Sequence, residues 1–247
     1  MISVVVPTYN PDLNFLVVLE SILKNLDPYP KSEIIVVDDG SFKSESKKIF
    51  EKVNSFEKVF LFTKPNGGVS SARNYGVNFS KNNLIAFCDS DDIWIDDKIQ
   101  IQIKTLLKYN LKCIGSQKRF SKKPDKLFFL KVIDQMISWG PHVSSVIIYK
   151  EFFLSINGFD EKMTHAEDGD FYLKVIKSIG SFPIINSTMI RNVEEKIAYG
   201  IKGLSANLKL MLIGEVNAIK KNLNYLYWIF IIWIYLKYLK RILITKF

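Results

Sequence analysis

Two rhythms of apolar residues alternate along the first hundred positions. The runs ISVVVP from Ile2 and EIIVVDDG from Glu33 are short, rich in β-branched residues and closed by turn formers, as strands buried on both faces are. Between them Leu13, Leu16, Val17, Leu19, Ile22, Leu23 and Leu26 recur at helical spacing over residues 12–26. The rhythm continues with a second helix at SFKSESKKIFEKVNSF, a third strand at KVFLFTKP and a third helix at VSSARNYGVNFSK. LIAFCDSDD then gives a fourth strand, and DDKIQIQIKTLLKYN a helix over 96–110. This alternation predicts an α/β fold, a mainly parallel sheet with helices on both faces. Ligands of such sheets sit beyond the carboxyl ends of the strands, and there PTYN, DDGS and DSDD converge on one rim.

After residue 110 the pattern loosens. The shorter runs CIGSQKRF, SSVIIYK and SFPII, a helix at EFFLSI and the segment GFDEKMTHAEDGDFYLKVIKSIG read as a second half in a mixed sheet. The expected organisation is 1–110 and 111–200 as two halves of one domain, followed by a helical tail over 201–247. Within the tail, YLYWIFIIWIYL (225–236) carries no charge. Lys220 and Lys221 precede it, Lys237, Lys240 and Arg241 follow, and no acidic residue occurs after Glu215. A twelve-residue helix covers about 18 Å at 1.5 Å per residue, short of the roughly 30 Å hydrocarbon core of a bilayer. The expectation is an aromatic helix lying on a membrane surface, the alternative one that packs on protein.

Composition narrows the partners. The net charge of +9 favours an anionic partner, for which nucleic acid, acidic lipid and nucleotide all qualify. Two cysteines, Cys88 and Cys113, make no disulfide framework, and MISVVVPTYN lacks the features of a secretory leader, so a reduced, cytoplasmic setting is expected. Cys88, at the end of an apolar strand, reads as buried and inert.

The acidic run Asp89, Ser90, Asp91, Asp92 has two readings. Carboxylates so close repel, and a divalent cation of the Mg²⁺ or Mn²⁺ type, bound by oxygen ligands, would relieve this while bridging a diphosphate. Alternatively, Asp91 or Asp92 caps the helix that follows. Asp38, Asp39 and Gly40 form a turn whose carboxylates can meet a ribose or a base, and Asn66, Gly67 and Gly68 lead into a helix bearing Arg73, a setting suited to an anion. No GxGxxG or Walker A sequence is present. Thr164 and Glu167 have capping-box spacing for a helix starting near residue 165, yet Asp168 is an acid that a cap does not require and is a candidate general base. Two histidines, His142 and His165, are too few and too separated for a zinc site.

Taken together, VVVPTYN, VVDDGS, NGGVSSARNYG, FCDSDDIW and INGFDE followed by AEDGDFYLK resemble the family 2 inverting nucleotide-sugar glycosyltransferases of the GT-A fold, over residues 1 to 180. The resemblance implies a Rossmann-like nucleotide-binding half, a DxD-type site for Mn²⁺ or Mg²⁺ and a UDP-sugar donor. It implies that Pro7, Thr8 and Tyr9 line the nucleotide pocket, with Asn66 and Ser90 also on the donor side, and that Asp39 and Arg73 contact uracil or ribose. Asp89 and Asp91 match the DxD pair, with Asp92 able to replace either as a metal ligand. Asp168 matches the base. From the residues themselves, Glu167 is expected to orient the site on its acceptor side, and His142 has two readings, a structural role, which is favoured, or a place in the acceptor pocket. Many relatives carry a further His after an Arg downstream. Here MIRNVEEKIAYGIKGLS offers Arg191, available to pair with phosphate, and no His.

The implied activity is transfer of a sugar to a glycan or polyprenyl-diphosphate-linked acceptor in bacterial surface polysaccharide synthesis, at the inner face of the plasma membrane, with no nucleic acid involved. Two rivals are a non-catalytic nucleotide-sugar-binding scaffold and a sugar-nucleotide nucleotidyltransferase. The second should show a Gly-rich loop after the first strand, where PTYN stands instead.

Overall fold

The computed structural model describes residues 1–116, 127–132, 134, 140–193, 207–223 and 227–245. Its first half alternates β1 (Ile2–Thr8), α1 (Asn14–Leu26), β2 (Glu33–Asp38), α2 (Ser44–Val53), β3 (Val59–Thr63), α3 (Val69–Phe79) and β4 (Leu84–Phe87). β1 and β2 are buried at every position, which is why they read as unbroken apolar runs. Next come β5 (Asp92–Trp94), α4 (Lys98–Lys108), β6 (Cys113–Ser116), β7 (Leu127–Leu130), a 3₁₀ turn (Val143–Ser145), β8 (Ile147–Tyr149) and α5 (Lys150–Ser155). The described chain ends with α6 (Glu167–Ile179), β9 (Phe182–Ile185), β10 (Ile190–Asn192), α7 (Leu208–Leu223) and α8 (Tyr227–Thr245).

Eight strands form one sheet in the order β3-β2-β1-β4-β8-β6-β9-β7. The four on the β3 side are parallel, β8 runs antiparallel to β4 and β6, and β9 is parallel to β6 but antiparallel to β7. The sheet is therefore mixed, with a parallel half on the β3 side as the periodicity predicts. Because β2 and β4 flank β1 on opposite sides, the carboxyl ends of β1, β2 and β4 open a crevice where chain direction switches.

Two apolar layers cover the sheet. Val4 and Val6 face a layer with Phe15, Leu19 and Ile22 of α1 and Ile99 of α4. Val5, Ile85 and Phe87 face another with Phe153, Phe159, Phe171 and Tyr172, which places α6 on that side.

The acidic run departs from the helix-cap reading. It leads into β5, which pairs antiparallel with β10 in a separate two-stranded sheet, Asp92 opposite Asn192. The helix expected over 96–110 begins at Lys98, its N-cap is Asp97, and no side chain caps it. The capping box at Thr164 and Glu167 is likewise not formed. α6 begins at Glu167 after Ala166, whose φ is 55°, and the Thr164 hydroxyl lies 3.0 Å from His165 Nδ1 instead. The shared reason is that both helices are entered through a left-handed residue, which turns the preceding side chains away from the first-turn amides.

Candidate active site

The site grows from the loop after β4. The Asp89 carboxylate takes a 2.6 Å ion pair from Arg73 of α3, whose guanidinium also reaches Glu167 of α6 at 3.3 Å and stacks 5.0 Å over the Phe159 ring. Arg73 is thus buried between two carboxylates from opposite halves of the domain, whereas sequence reading puts it at the nucleoside. Its neighbour Asn74 makes a second tie, donating to the Phe159 carbonyl at 2.9 Å and accepting its N–H at 3.0 Å. The Arg-Asn pair of the ARNYG motif therefore joins the GFDE loop to the nucleotide half.

Asp92 is fully buried. Its Oδ2 accepts from the Ser144 hydroxyl at 2.6 Å and lies 3.1 Å from His142 Nδ1, and its Oδ1 accepts from Asn192 at 2.9 Å. Ser144 also accepts the Asp89 N–H at 2.9 Å, and its carbonyl accepts Trp94 Nε1 at 2.9 Å. One serine in the 3₁₀ turn thereby fixes both ends of the acidic run. Neither Ser144 nor Asn192 is a sequence candidate. Serine and asparagine are ordinary in turns, and only the juxtaposition of PHVSS and MIRN with DSDD would have marked them.

Asp89, Asp92 and His142 form the one group of three metal-ligand types found among the described residues, with candidate ligand atoms within 4.8 Å of one another. The donor set of two carboxylates and an imidazole fits a hard or borderline divalent cation. Asp92 has its oxygens engaged by Ser144 and Asn192 and stands 3.1 Å from His142 Nδ1, a setting that suits a carboxylate orienting the imidazole toward an ion. Asp91 is exposed on the same loop. His142, read as structural or as lining the acceptor pocket, thus lies beside the acidic loop.

The charges explain the local protonation. Burial pushes the Asp89 carboxyl up, but Arg73, His142 and the Ser144 hydroxyl outweigh it, so Asp89 lies below its ordinary value. Asp92 goes the other way, raised by burial and by Asp89 and Asp91 despite His142. Glu167 is raised by burial and by adjacent Asp168, against the pull of Arg73. Asp168, in the first turn of α6, is partly exposed and accepts the Gly169 N–H at 2.7 Å. One turn on, the buried Tyr172 hydroxyl has no hydrogen-bond partner among the described residues, although Asp168 and Arg73 are close enough to act on it electrostatically.

On the nucleotide side, Pro7 and Thr8 are buried at the end of β1, the Thr8 hydroxyl without a partner, and Tyr9 is half-exposed with its ring edge on Phe42. The Asp39 carboxylate accepts the N–H groups of Gly67 at 3.0 Å and Gly68 at 2.7 Å and pairs with Lys64 at 2.7 Å. Exposed Asn66 donates to the Asp39 carbonyl. Asp39, expected at uracil or ribose, here shapes the glycine loop that leads into α3. Ser90 is half-buried in the acidic loop, and Arg191 is exposed on β10 beside β5. Residues 194–205 of the downstream stretch lie outside the described residues. Cys88 and Cys113 are buried free thiols, each pushed up by burial, as an inert role requires.

The chain is 28% identical over 186 residues to the UDP-Glc:alpha-D-GlcNAc-diphosphoundecaprenol beta-1,3-glucosyltransferase WfgD of Escherichia coli, covering 72% of this chain and 70% of WfgD. It is 27% identical over 221 residues to chondroitin synthase of Pasteurella multocida, covering 85% of this chain but 22% of that much longer relative. The fold matches the crystal structure of S. aureus TarS 1-349 in complex with UDP-GlcNAc with a TM-score of 0.65 at 18% identity, over 90% of this chain and 67% of that one. The family model "Glycosyl transferase family 2" matches residues 3–156, more than half of the sequence, and the chain is a glycosyltransferase belonging to that family.

Proposed function

We propose that the chain transfers a sugar, with inversion and with the help of Mn²⁺ or Mg²⁺, from a UDP-sugar to a glycan or polyprenyl-diphosphate-linked acceptor of a bacterial surface polysaccharide, at the inner face of the plasma membrane. The observation that carries this reading is the Arg73 bridge. It brings the acidic run and the Glu167–Asp168 pair, far apart in sequence, to one crevice. The donor and acceptor classes are supported by what the relatives' names state, a UDP-Glc donor and a diphosphoundecaprenol-linked acceptor for WfgD and a UDP-GlcNAc complex for TarS.

In this mechanism the rim of β1, β2 and β4 binds the nucleotide, and Asp89, Asp91 and His142 would hold the cation. When bound, a divalent ion supplies charge stabilisation to the departing diphosphate. Asp168 takes the proton from the acceptor hydroxyl as that oxygen attacks the anomeric carbon, and the UDP leaves from the opposite face. One base and no enzyme nucleophile suffice for a single displacement, hence inversion. Glu167, held by Arg73, fixes the turn that carries Asp168.

Asp168→Asn keeps the shape of the side chain but cannot accept the proton. It should retain UDP affinity within about twofold and lose transfer by about a hundredfold or more, the usual weight of a general base. Unchanged turnover would remove Asp168 from the mechanism.

A further inference from the structure

The last two helices form a hairpin against the base-bearing turn. α7 packs along α6, where Asn222 donates to Asp170 at 2.9 Å, and Gly214 lies directly on the strained turn at His165 and Ala166. α8 packs in turn on α7 through Ile234 and Phe230, and its Lys237 and Arg241 pair with Glu215 at 3.1 and 2.8 Å. At 100° per residue these inward residues occupy one side of α8. The opposite arc, about 160° wide, carries exposed Trp228, Ile232, Trp233, Tyr235, Leu236 and Leu239, with exposed Lys240 at its border.

We infer that this outward face of α8 docks on an anionic lipid bilayer, lying in its surface. Large apolar side chains that stay 50 to 64% exposed, two tryptophans and a tyrosine among them, form a contiguous patch of the kind water disfavours. Charge selects the occupant. The outward arc carries the cation Lys240 and no acidic residue, while Lys237 and Arg241 are already paired with Glu215 and Lys221 with Asp160, so a second copy would set Lys240 against Lys240, whereas anionic headgroups complement it. Indole and phenol rings suit the headgroup boundary. No helix among the described residues is long and apolar enough to cross a membrane, and α8, about 28 Å long at 1.5 Å per residue, turns its apolar arc away from the protein while its other side packs on α7, the placement a helix docked flat on a bilayer needs. Since α7 clamps the turn ahead of Asp168, docking through α8 holds the base at a set height above the lipid. This deepens the proposed function and rests on it for one point, that the acceptor is lipid-linked.

The test is co-flotation of the full chain with vesicles of phosphatidylcholine containing about a third phosphatidylglycerol, against pure phosphatidylcholine, with the oligomeric state measured by light scattering. The wild-type chain should float with anionic vesicles. The double variant Ile232→Glu/Leu236→Glu, changed only at exposed positions, should lose about tenfold or more of the bound fraction, and Lys240→Glu should lose part of it while keeping the fold. Wild type that stays unbound to both vesicles, or that is a dimer dissolved by the double variant, overturns the inference. UDP binding with Mn²⁺, measured on the same proteins, separates the two readings. Flotation without UDP binding refutes the transferase account alone, and UDP binding without flotation refutes the docking alone.

Discussion

Arg73 shows how strongly a single side chain ties this cleft together. Its guanidinium stays charged despite burial because Asp89 and Glu167 flank it. Removing one partner of a buried ion pair costs about 3 kcal/mol or more, since the remaining charges are left uncompensated. Arg73→Met should therefore lower stability by that amount in urea unfolding, and adding Glu167→Gln should restore part of it, because the two effects share a contact. Lys98 is the reverse case. Its ammonium is buried without a hydrogen-bond partner among the described residues, 4.0 Å over the Trp94 ring, and burial pulls its pKa down to about 7. The unfolded chain then binds a proton that the folded chain does not between about pH 7 and the ordinary lysine range, so the penalty is full below pH 7 and fades as pH rises toward 10. Lys98→Met should raise Tm at pH 7, and the gain should shrink by pH 9.5. An equal gain at both values would show that charge is not the cause. At this scale the candidate acids Asp89 and Asp92 were legible because carboxylates on a strand rim demand a reason, and Glu167 and Asp168 because a helix cap needs only one acid. Arg73 was legible as an anion partner, but its carboxylate partners came from residues 16 and 94 positions away, which no spacing reveals.

Among the elements, the parallel half was readable because its strands are buried on both faces and its helices are long enough to show their period. β5 and β10 were not. Each has three residues, and they hold together through pairing, Asn192 on Asp92 and Ile190 opposite Trp94, rather than through pattern. The entry to α6 defeats sequence reading for a different reason. Ala166 at φ 55° is strained by about 1 kcal/mol or more for a residue with a Cβ, and α7 holds it there. Any side chain at Gly214 would run into the His165 carbonyl oxygen and the Ala166 methyl. Gly214→Val should thus push α7 off the turn, lowering turnover about tenfold or more while leaving UDP affinity unchanged, since a misplaced base alone suffices for such a loss. A parallel loss of UDP affinity would mean that α7 supports the whole crevice. Ser144→Ala belongs to the opposite wall. It leaves the Asp89 N–H and the Asp92 carboxylate short of a partner and should weaken metal-dependent UDP binding, with a stability cost of about 1–3 kcal/mol.

For the molecule as a whole, the architecture separates three tasks. The parallel strands present the rim of β1, β2 and β4, α3 and α6 meet through Arg73, and the α7–α8 hairpin backs the turn ahead of the proposed base Asp168. Residues 227–236 of the tail's apolar run belong to a 19-residue helix whose inner side packs on protein and whose outer side is apolar. Sequence alone could not divide the faces, because the run is apolar all round and the partner helix sets which side turns inward. The central claim is that the acidic loop, with His142, binds a nucleoside diphosphate through a divalent cation. Titration calorimetry of UDP into the chain with Mn²⁺, and again after EDTA, tests it directly. The account predicts binding with Mn²⁺ that weakens about tenfold or more in EDTA, and that His142→Ala weakens only in the presence of Mn²⁺. Equal affinity with and without the ion, or none in either case, would contradict it.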